Sequence, residues 1–506
     1  MGENIGQLLR QAVISDPDRV AIVYRGEGER LTFTRRELEE RALSILSALE
    51  EAGARPGDRV ALIGENHPDF VAAFFAISYL GASALPIPFR SAEGEILYRL
   101  RDSGARLILH DEARRERVLG AIEGEPSIVP LAFQDAARAT PRLRSPHEGP
   151  ASSIALILYT SGTTGEAKGA AISHAALLLH TIGLVHQRLG FDRETRALAA
   201  LPLTHSFGLR MSLLAPLYSG GLSVLVPRFD PDTVKIICRE EGVSWLPAVP
   251  TMLAGLAASR DPEPIPSLKW ALSAGAPLSE GLRARASEAL GCPVYQGYGL
   301  TEATFSALDA PPGEPVPGSV GRAAYGTELA ILGEGGAILR EPGAPGEVLV
   351  RGQNLMSHYL NDPDKTRASF IDGFFRTGDI GTIDSSGRLF ILDREKELIL
   401  RGGENIYPSE VEAALIRHPA LLEIAVVGIP HEYFGEEVVA VVRAKQPVEP
   451  AELREFARRS LAPQKLPAGF AFTDAFPVGA SAKILKRELR RQLIDGTLTL
   501  KRVERG

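Results

Sequence analysis

The sequence predicts an α/β protein: a large N-terminal domain of two wound βαβ subdomains with a small β subdomain, then a small α+β C-terminal domain. Three observations carry this. Short apolar runs alternate with helical periodicity from about residue 58 to 110, and the alternation restarts after residue 170. Such βαβ order implies parallel strands covered by helices. From Gly318 to Arg351 the chain becomes glycine-rich with short alternating runs, and 506 residues exceed what one ordinary core organises.

In order, Arg59 to Ile63 reads as a strand and Pro68 to Leu80 as a helix closed by Gly81. Ala84 to Ile87 and Leu107 to Leu109 read as further strands. The polar, proline-containing stretch from Gln134 to Pro150 is a surface connection. Ile154 to Leu158 is a buried strand. Leu198 to Leu201, Leu222 to Val226 and Val243 to Leu246 continue the strands, with a helix at Pro231 to Glu241. Glu347 to Val350 and Leu389 to Leu392 belong to the β-rich part. Beyond them, Pro408 to His418, Ile424 to Ile429, Val438 to Val442 and Ala451 to Leu461 suggest a separate α+β domain.

Composition excludes several classes. A net charge of -7 argues against a general nucleic-acid surface. Two cysteines, Cys238 and Cys292, exclude a disulfide framework and a cysteine-rich zinc site. The longest apolar run, Phe70 to Pro88, is broken by Ser78, Gly81, Ser83 and Pro86, so it reads as a buried helix and strand, not a membrane span. No targeting segment stands out, and a cytoplasmic enzyme is the simplest expectation.

One stretch stands apart: Tyr159-Thr160-Ser161-Gly162-Thr163-Thr164-Gly165-Glu166-Ala167-Lys168-Gly169. Glycines let a backbone approach a ligand closely, free N–H groups and hydroxyls cradle phosphate oxygens, and a lysine adds a mobile cation. By itself the run is either that or a flexible polar loop. It is not a Walker loop: Ala167 stands where glycine should precede the lysine, and Gly169 where Ser or Thr should follow.

Five more constellations follow. Leu201-Pro202-Leu203-Thr204-His205-Ser206-Phe207-Gly208 sets a histidine just after a strand, and Arg210 then interrupts the apolar run Gly208 to Leu217. That arginine is either a surface or capping charge or a partner for a second carboxylate on a substrate. Ser273-Ala274-Gly275-Ala276-Pro277-Leu278 and Tyr295-Gln296-Gly297-Tyr298-Gly299-Leu300-Thr301-Glu302 pair small residues with a stacking tyrosine. Phe374-Phe375-Arg376-Thr377-Gly378-Asp379 carries an aspartate able to accept two hydroxyls. Asp393-Arg394-Glu395-Lys396 precedes Arg401-Gly402-Gly403-Glu404-Asn405-Ile406-Tyr407-Pro408. Finally, Ala482-Lys483-Ile484-Leu485-Lys486-Arg487 opens a basic helix.

With the glycine-rich stretch, these segments in this order resemble the adenylate-forming superfamily: acyl- and aryl-CoA synthetases, peptide-synthetase adenylation domains and firefly-type luciferases. The wording is closest to fatty-acyl- or aryl-CoA ligases. The resemblance implies ATP, Mg2+ and coenzyme A, and a mobile C-terminal domain beginning at residue 394 after a large domain of residues 1–393. It implies that Thr160, Ser161, Gly162, Thr163, Thr164, Gly165 and Lys168 hold phosphates, with Thr160 and Glu302 at the metal. Gly275, Ala276, Pro277, Gln296, Gly297 and Tyr298 would frame adenine, and Thr301 would contact the α-phosphate. Asp379 and Arg394 would reach the ribose. His205 would stand beside the reacting carboxylate, with Phe207 and Met211 in the acid pocket. Lys396 would be the hinge, Gly402 and Gly403 would line the pantetheine tunnel, and Lys483 would bridge carboxylate and α-phosphate.

One departure is Ala482, where the family has glycine, and Val478-Gly479 replaces the usual Pro-Arg. Among rivals, an amino-acid adenylation enzyme would place an aspartate after the His205 region, and none stands between Ser206 and Gly220. A fatty acyl-AMP ligase would carry an insertion, and none is evident between Glu302 and Asp379. A carrier protein in place of CoA, a non-catalytic nucleotide-binding relative, a homo-oligomer, and a fatty, aryl or dicarboxylic acid as substrate all stay open.

Overall fold

The computed structural model describes residues 4–160, 167–333, 335–339, 341–394, 397–401, 404–478 and 484–503. It divides into two compact units, Met1–Leu329 with Leu349–Arg376, and Ala330–Val348 with Thr377–Gly506.

The first unit holds two sheets. Among the described residues, one has seven strands in the order His358–Tyr359, Lys168–Ser173, Ile154–Thr160, Ser83–Ile87, Arg59–Ile63, Leu107–His110, Val129–Ala132. The last five are mutually parallel. The helix Pro68–Leu80 starts behind His67, whose Nδ1 accepts from the Asp69 N–H, and stops at Gly81 with φ 78°. All its residues are buried, so it is apolar on every face because it lies inside the protein. Among the described residues, no helix is long and apolar enough to cross a membrane. The connection after residue 133 is largely irregular, but it opens with a helical turn, Phe133–Ala136, that buries Phe133 and Ala136.

In the second sheet the strands Val294–Leu300, Trp270–Ser273, Trp245–Ala248, Arg196–Ala199, Leu222–Leu225 and Val20–Gly26 lie side by side and parallel. Two of them are shifted by two residues from the sequence expectation: Arg196–Ala199 begins earlier and Trp245–Ala248 ends later. Sheet pairing sets these ends. Trp245 sits opposite both Ala197 and Trp270, and Pro247, which has no N–H to donate, stands inside a strand opposite Leu272.

In the second unit Asp379–Ile383 pairs antiparallel with Leu389–Arg394, Asp379 opposite Arg394. A further sheet is centred on Gly435–Ala444, which pairs with Leu421–His431 and Gly469–Phe472. Val438, Ala440 and Val442 pack on one side with Val411, Leu415 and Leu453 of the helices Pro408–Leu415 and Pro450–Arg458. Val439 and Val441 pack on the other with Leu489 and Leu493 of Lys486–Ile494. Both faces are covered, which is why this strand is apolar without alternation.

Candidate active site

Parallel strands point their carboxyl ends the same way, and ligands of open α/β sheets collect there. His205 follows Arg196–Ala199. Its N–H donates to Pro202 O at 3.1 Å and its carbonyl accepts from Leu209 at 3.0 Å, opening a helical segment. Gly208 keeps this turn tight: a Cβ there would lie 2.3 Å from Pro202 O. A π-helical turn, Leu209–Leu214, follows at once; such turns gather at functional sites. Phe207 meets Phe305 edge-on at 5.0 Å. Met211, expected in the acid pocket, has no exposed surface and packs with Leu184, Trp245 and Trp270. Its carbonyl accepts from Trp245 Nε1 at 3.1 Å.

Gly275, Ala276 and Pro277 follow the Trp270–Ser273 strand, whose Ser273 sits opposite Gln296. Tyr298 lies opposite Ala307 and is 9% exposed. Gly299 allows the strands to close, since a Cβ there would lie 1.9 Å from Thr304 O. Thr301 and Glu302 come next and are half-buried. Glu302 is fixed at two points: its carbonyl accepts from Met356 N at 2.6 Å, and Oε1 accepts from the Tyr359 hydroxyl at 2.8 Å. Burial, and then Glu302 itself, pushes the Tyr359 phenol far up, so it remains a donor.

Tyr359 also belongs to the strand beside the glycine-rich hairpin. It lies opposite Ala170, and Leu360 N donates to Gly169 O at 2.8 Å. Thr160 sits opposite Lys168 where the hairpin opens. The Lys168 ammonium pairs with the Asp362 carboxylate and holds that carboxyl below its usual range. The edge strand His358–Tyr359 and the residues just after it therefore reach both Glu302, through Tyr359, and Lys168, through Asp362, and Lys168 sits opposite Thr160. Tyr359 and Asp362 were not singled out from the sequence, and nothing in their local wording marks them.

In the second unit, Asp379 is 4% exposed. Its N–H donates to Thr377 Oγ1 at 3.1 Å, and that hydroxyl donates to Val348 O at 2.7 Å. Gly378 donates to Glu347 Oε1 at 3.0 Å. Lys486 lies 2.8 Å from Glu412 and 3.2 Å from Glu397. Burial opposes its charge, but the two carboxylates outweigh that and raise the ammonium to about 12. Ser161, Gly162, Thr163, Thr164, Gly165, Lys396, Gly402, Gly403, Ala482 and Lys483 lie outside the described residues.

Comparison with known proteins gives the family and the fold. The AMP-binding enzyme family model matches residues 9–360, and the AMP-binding enzyme C-terminal domain matches residues 410–483. A feruloyl-CoA synthase from Amycolatopsis is 36% identical over 484 residues, covering 93% of this chain and 96% of that protein. The crystal structure of ATP-bound MatB from Rhodopseudomonas palustris is similar at a TM-score of 0.92 and 30% identity, over 98% of this chain and 99% of that one. The o-succinylbenzoate CoA synthetase MenE from Bacillus subtilis, in complex with the acyl-adenylate OSB-AMP, is similar at a TM-score of 0.86 and 30% identity, over 98% and 99%.

Proposed function

The chain belongs to the AMP-binding enzyme family and is an ATP-dependent acid–CoA ligase working through an acyl-adenylate; from that premise we propose how its residues divide the work. A carboxylate oxygen bonds to the α-phosphorus of ATP as the bond to the bridging oxygen of pyrophosphate breaks. His205 stands beside that carboxylate, and Thr301 and Lys483 hold the α-phosphate oxygens where charge builds. The loop from Thr160 to Gly165 and Lys168 hold the outer phosphates. Lys168 then exchanges Asp362 for a phosphate partner. Tyr298 stacks on adenine beside Gly275, Ala276, Pro277, Gln296 and Gly297, while Asp379 and Arg394 take the ribose hydroxyls.

Mg2+ suits the donors here. It is usually held by one or two carboxylates plus substrate phosphates, and Glu302 with Thr160 offers that kind of set. When bound, the ion neutralises phosphate charge. Tyr359 and Met356 keep Glu302 oriented for it.

Residues 1–393 act as the ATP- and acid-binding domain and residues 394–506 as a domain turning about Lys396. That turn withdraws Lys483 and presents Gly402 and Gly403 to the pantetheine arm. The thiol of CoA attacks the acyl carbon, its proton leaves to solvent, and AMP departs. The reaction is cytoplasmic in this reading.

The observation that carries the reading is the Tyr359 hydroxyl on Glu302, linking that carboxylate to the glycine-rich hairpin. The test separates the half-reactions. Lys483→Ala should abolish ATP–pyrophosphate exchange and spare thioester formation from preformed acyl-adenylate. Exchange that survives removes Lys483 from the first step. Thioester formed on a carrier protein but not on CoA would reassign the acceptor.

A further inference from the structure

Arg210 is 1% exposed, in the π-helical turn five residues after His205. Its Nη1 donates to His180 Nδ1 at 3.3 Å and to Leu177 O at 3.5 Å. His180 is wholly buried, and its Nε2 lies 2.8 Å from Phe305 O. A carbonyl only accepts, so Nε2 carries the proton and Nδ1 is a lone pair. That lone pair receives both Arg210 Nη1 and the Thr304 hydroxyl, the latter at 3.2 Å. Thr304 holds φ at 44°, a strained setting for a β-branched residue. Burial holds His180 down at about 3 and Arg210 down at about 9, so near neutral pH the imidazole is neutral and the guanidinium charged.

This framework occupies one nitrogen of the fork and leaves the others. Arg210 Nε and Nη2 are buried without a hydrogen-bond partner, and among the described residues no carboxylate pairs with the guanidinium. The hydroxyl of Thr204, next to His205, is likewise buried and unpartnered. Nε and Nη2 form the side edge of the guanidinium, the edge that grips a carboxylate through two parallel hydrogen bonds. A buried cation without a counter-ion is destabilising, and an apolar residue of similar volume is often better tolerated. Holding the fork rigid with its side edge unused makes sense if the anion arrives with the substrate.

We infer that Arg210 is the specificity-determining residue of a second-carboxylate subsite, so that the acid activated here is a dicarboxylate. One carboxylate reacts beside His205, and the other seats on Arg210 Nε and Nη2. His180 and Thr304 are positioning residues acting through Arg210. The inference rests on the ligase reading and narrows it to a substrate class.

The test is ATP–pyrophosphate exchange with acids matched in carbon skeleton, such as succinate against butyrate and phthalate against benzoate. Each diacid is also run as its monomethyl ester, which removes the second charge and adds one methyl group. A site built to pair a polar group strongly rejects an analogue lacking it. The wild type should therefore favour the best diacid over its monoacid and half-ester by at least about 100-fold in kcat/KM, mostly through KM. Arg210→Met should lower the diacid-to-monoacid ratio at least about tenfold, with Arg210→Lys in between. Equal use of diacid and half-ester by the wild type overturns the subsite without any variant. A folded Arg210→Met with an unchanged ratio overturns it too. Exchange with monoacids alone leaves the ligase reading standing and removes the subsite. No exchange with any acid overturns both.

Discussion

Tyr359→Phe removes one oxygen and tests the link between the two sheets of the first unit. The hydroxyl lies 2.8 Å from Glu302 Oε1, on a side chain 6% exposed. A hydrogen bond to a charged group contributes about 1.5–3 kcal/mol. Glu302 is half-buried, so water recovers part of that, leaving about 1.4 kcal/mol, a tenfold effect. Phenylalanine keeps the ring, so packing beside Ala170 is preserved. If Tyr359 orients the carboxylate for Mg2+, kcat/KM for ATP–pyrophosphate exchange should fall about tenfold, and the Mg2+ concentration giving half-maximal rate should rise. Exchange kinetics across a Mg2+ series, with a urea unfolding curve on the same samples, read both. A variant less stable by about 1 kcal/mol but unchanged in rate and Mg2+ response would make Tyr359 merely structural and refute the reasoning.

Other outcomes follow from the same geometry. Gly299→Ala puts a methyl 1.9 Å from Thr304 O, which is backbone and cannot swing aside. It should lower stability by about 3 kcal/mol in urea unfolding, and a loss under about 1 kcal/mol would contradict so close an approach of the two strands. His174 and His180 are held down by burial, to about 4 and about 3, below the unfolded value. The unfolded chain therefore takes up protons first. Their contribution is complete above about pH 6.5 and is lost on acidification, by about 1.4 kcal/mol per pH unit for each histidine until its folded value is reached. Urea unfolding at pH 7 and pH 5 should show the loss, and equal stability at the two would contradict it.

The sequence was most legible where signals are local. The helix Pro68–Leu80 begins at its proline and ends at Gly81 as expected, because capping and φ preference act within a few residues. The Gly435–Ala444 strand was found through its valines, though not its ends, which depend on pairing with Leu421–His431. The site was legible as ordered motifs and not as contacts. Tyr359 reaches Glu302 across 57 positions, and His180 reaches Phe305 across 125. His180 sits in the apolar helix His174–Leu184, where a buried histidine reads as core. Two readings stood open for Arg210. Complete burial excludes the surface charge, and only the structure identifies the nitrogens left over.

The most direct measurement is to incubate the pure protein with ATP, Mg2+ and a panel of organic acids, follow label from pyrophosphate into ATP, then add CoA and resolve the products. The account predicts exchange that depends on the acid, followed by AMP and a thioester in equal amounts. ATP bound with no exchange for any acid would contradict it.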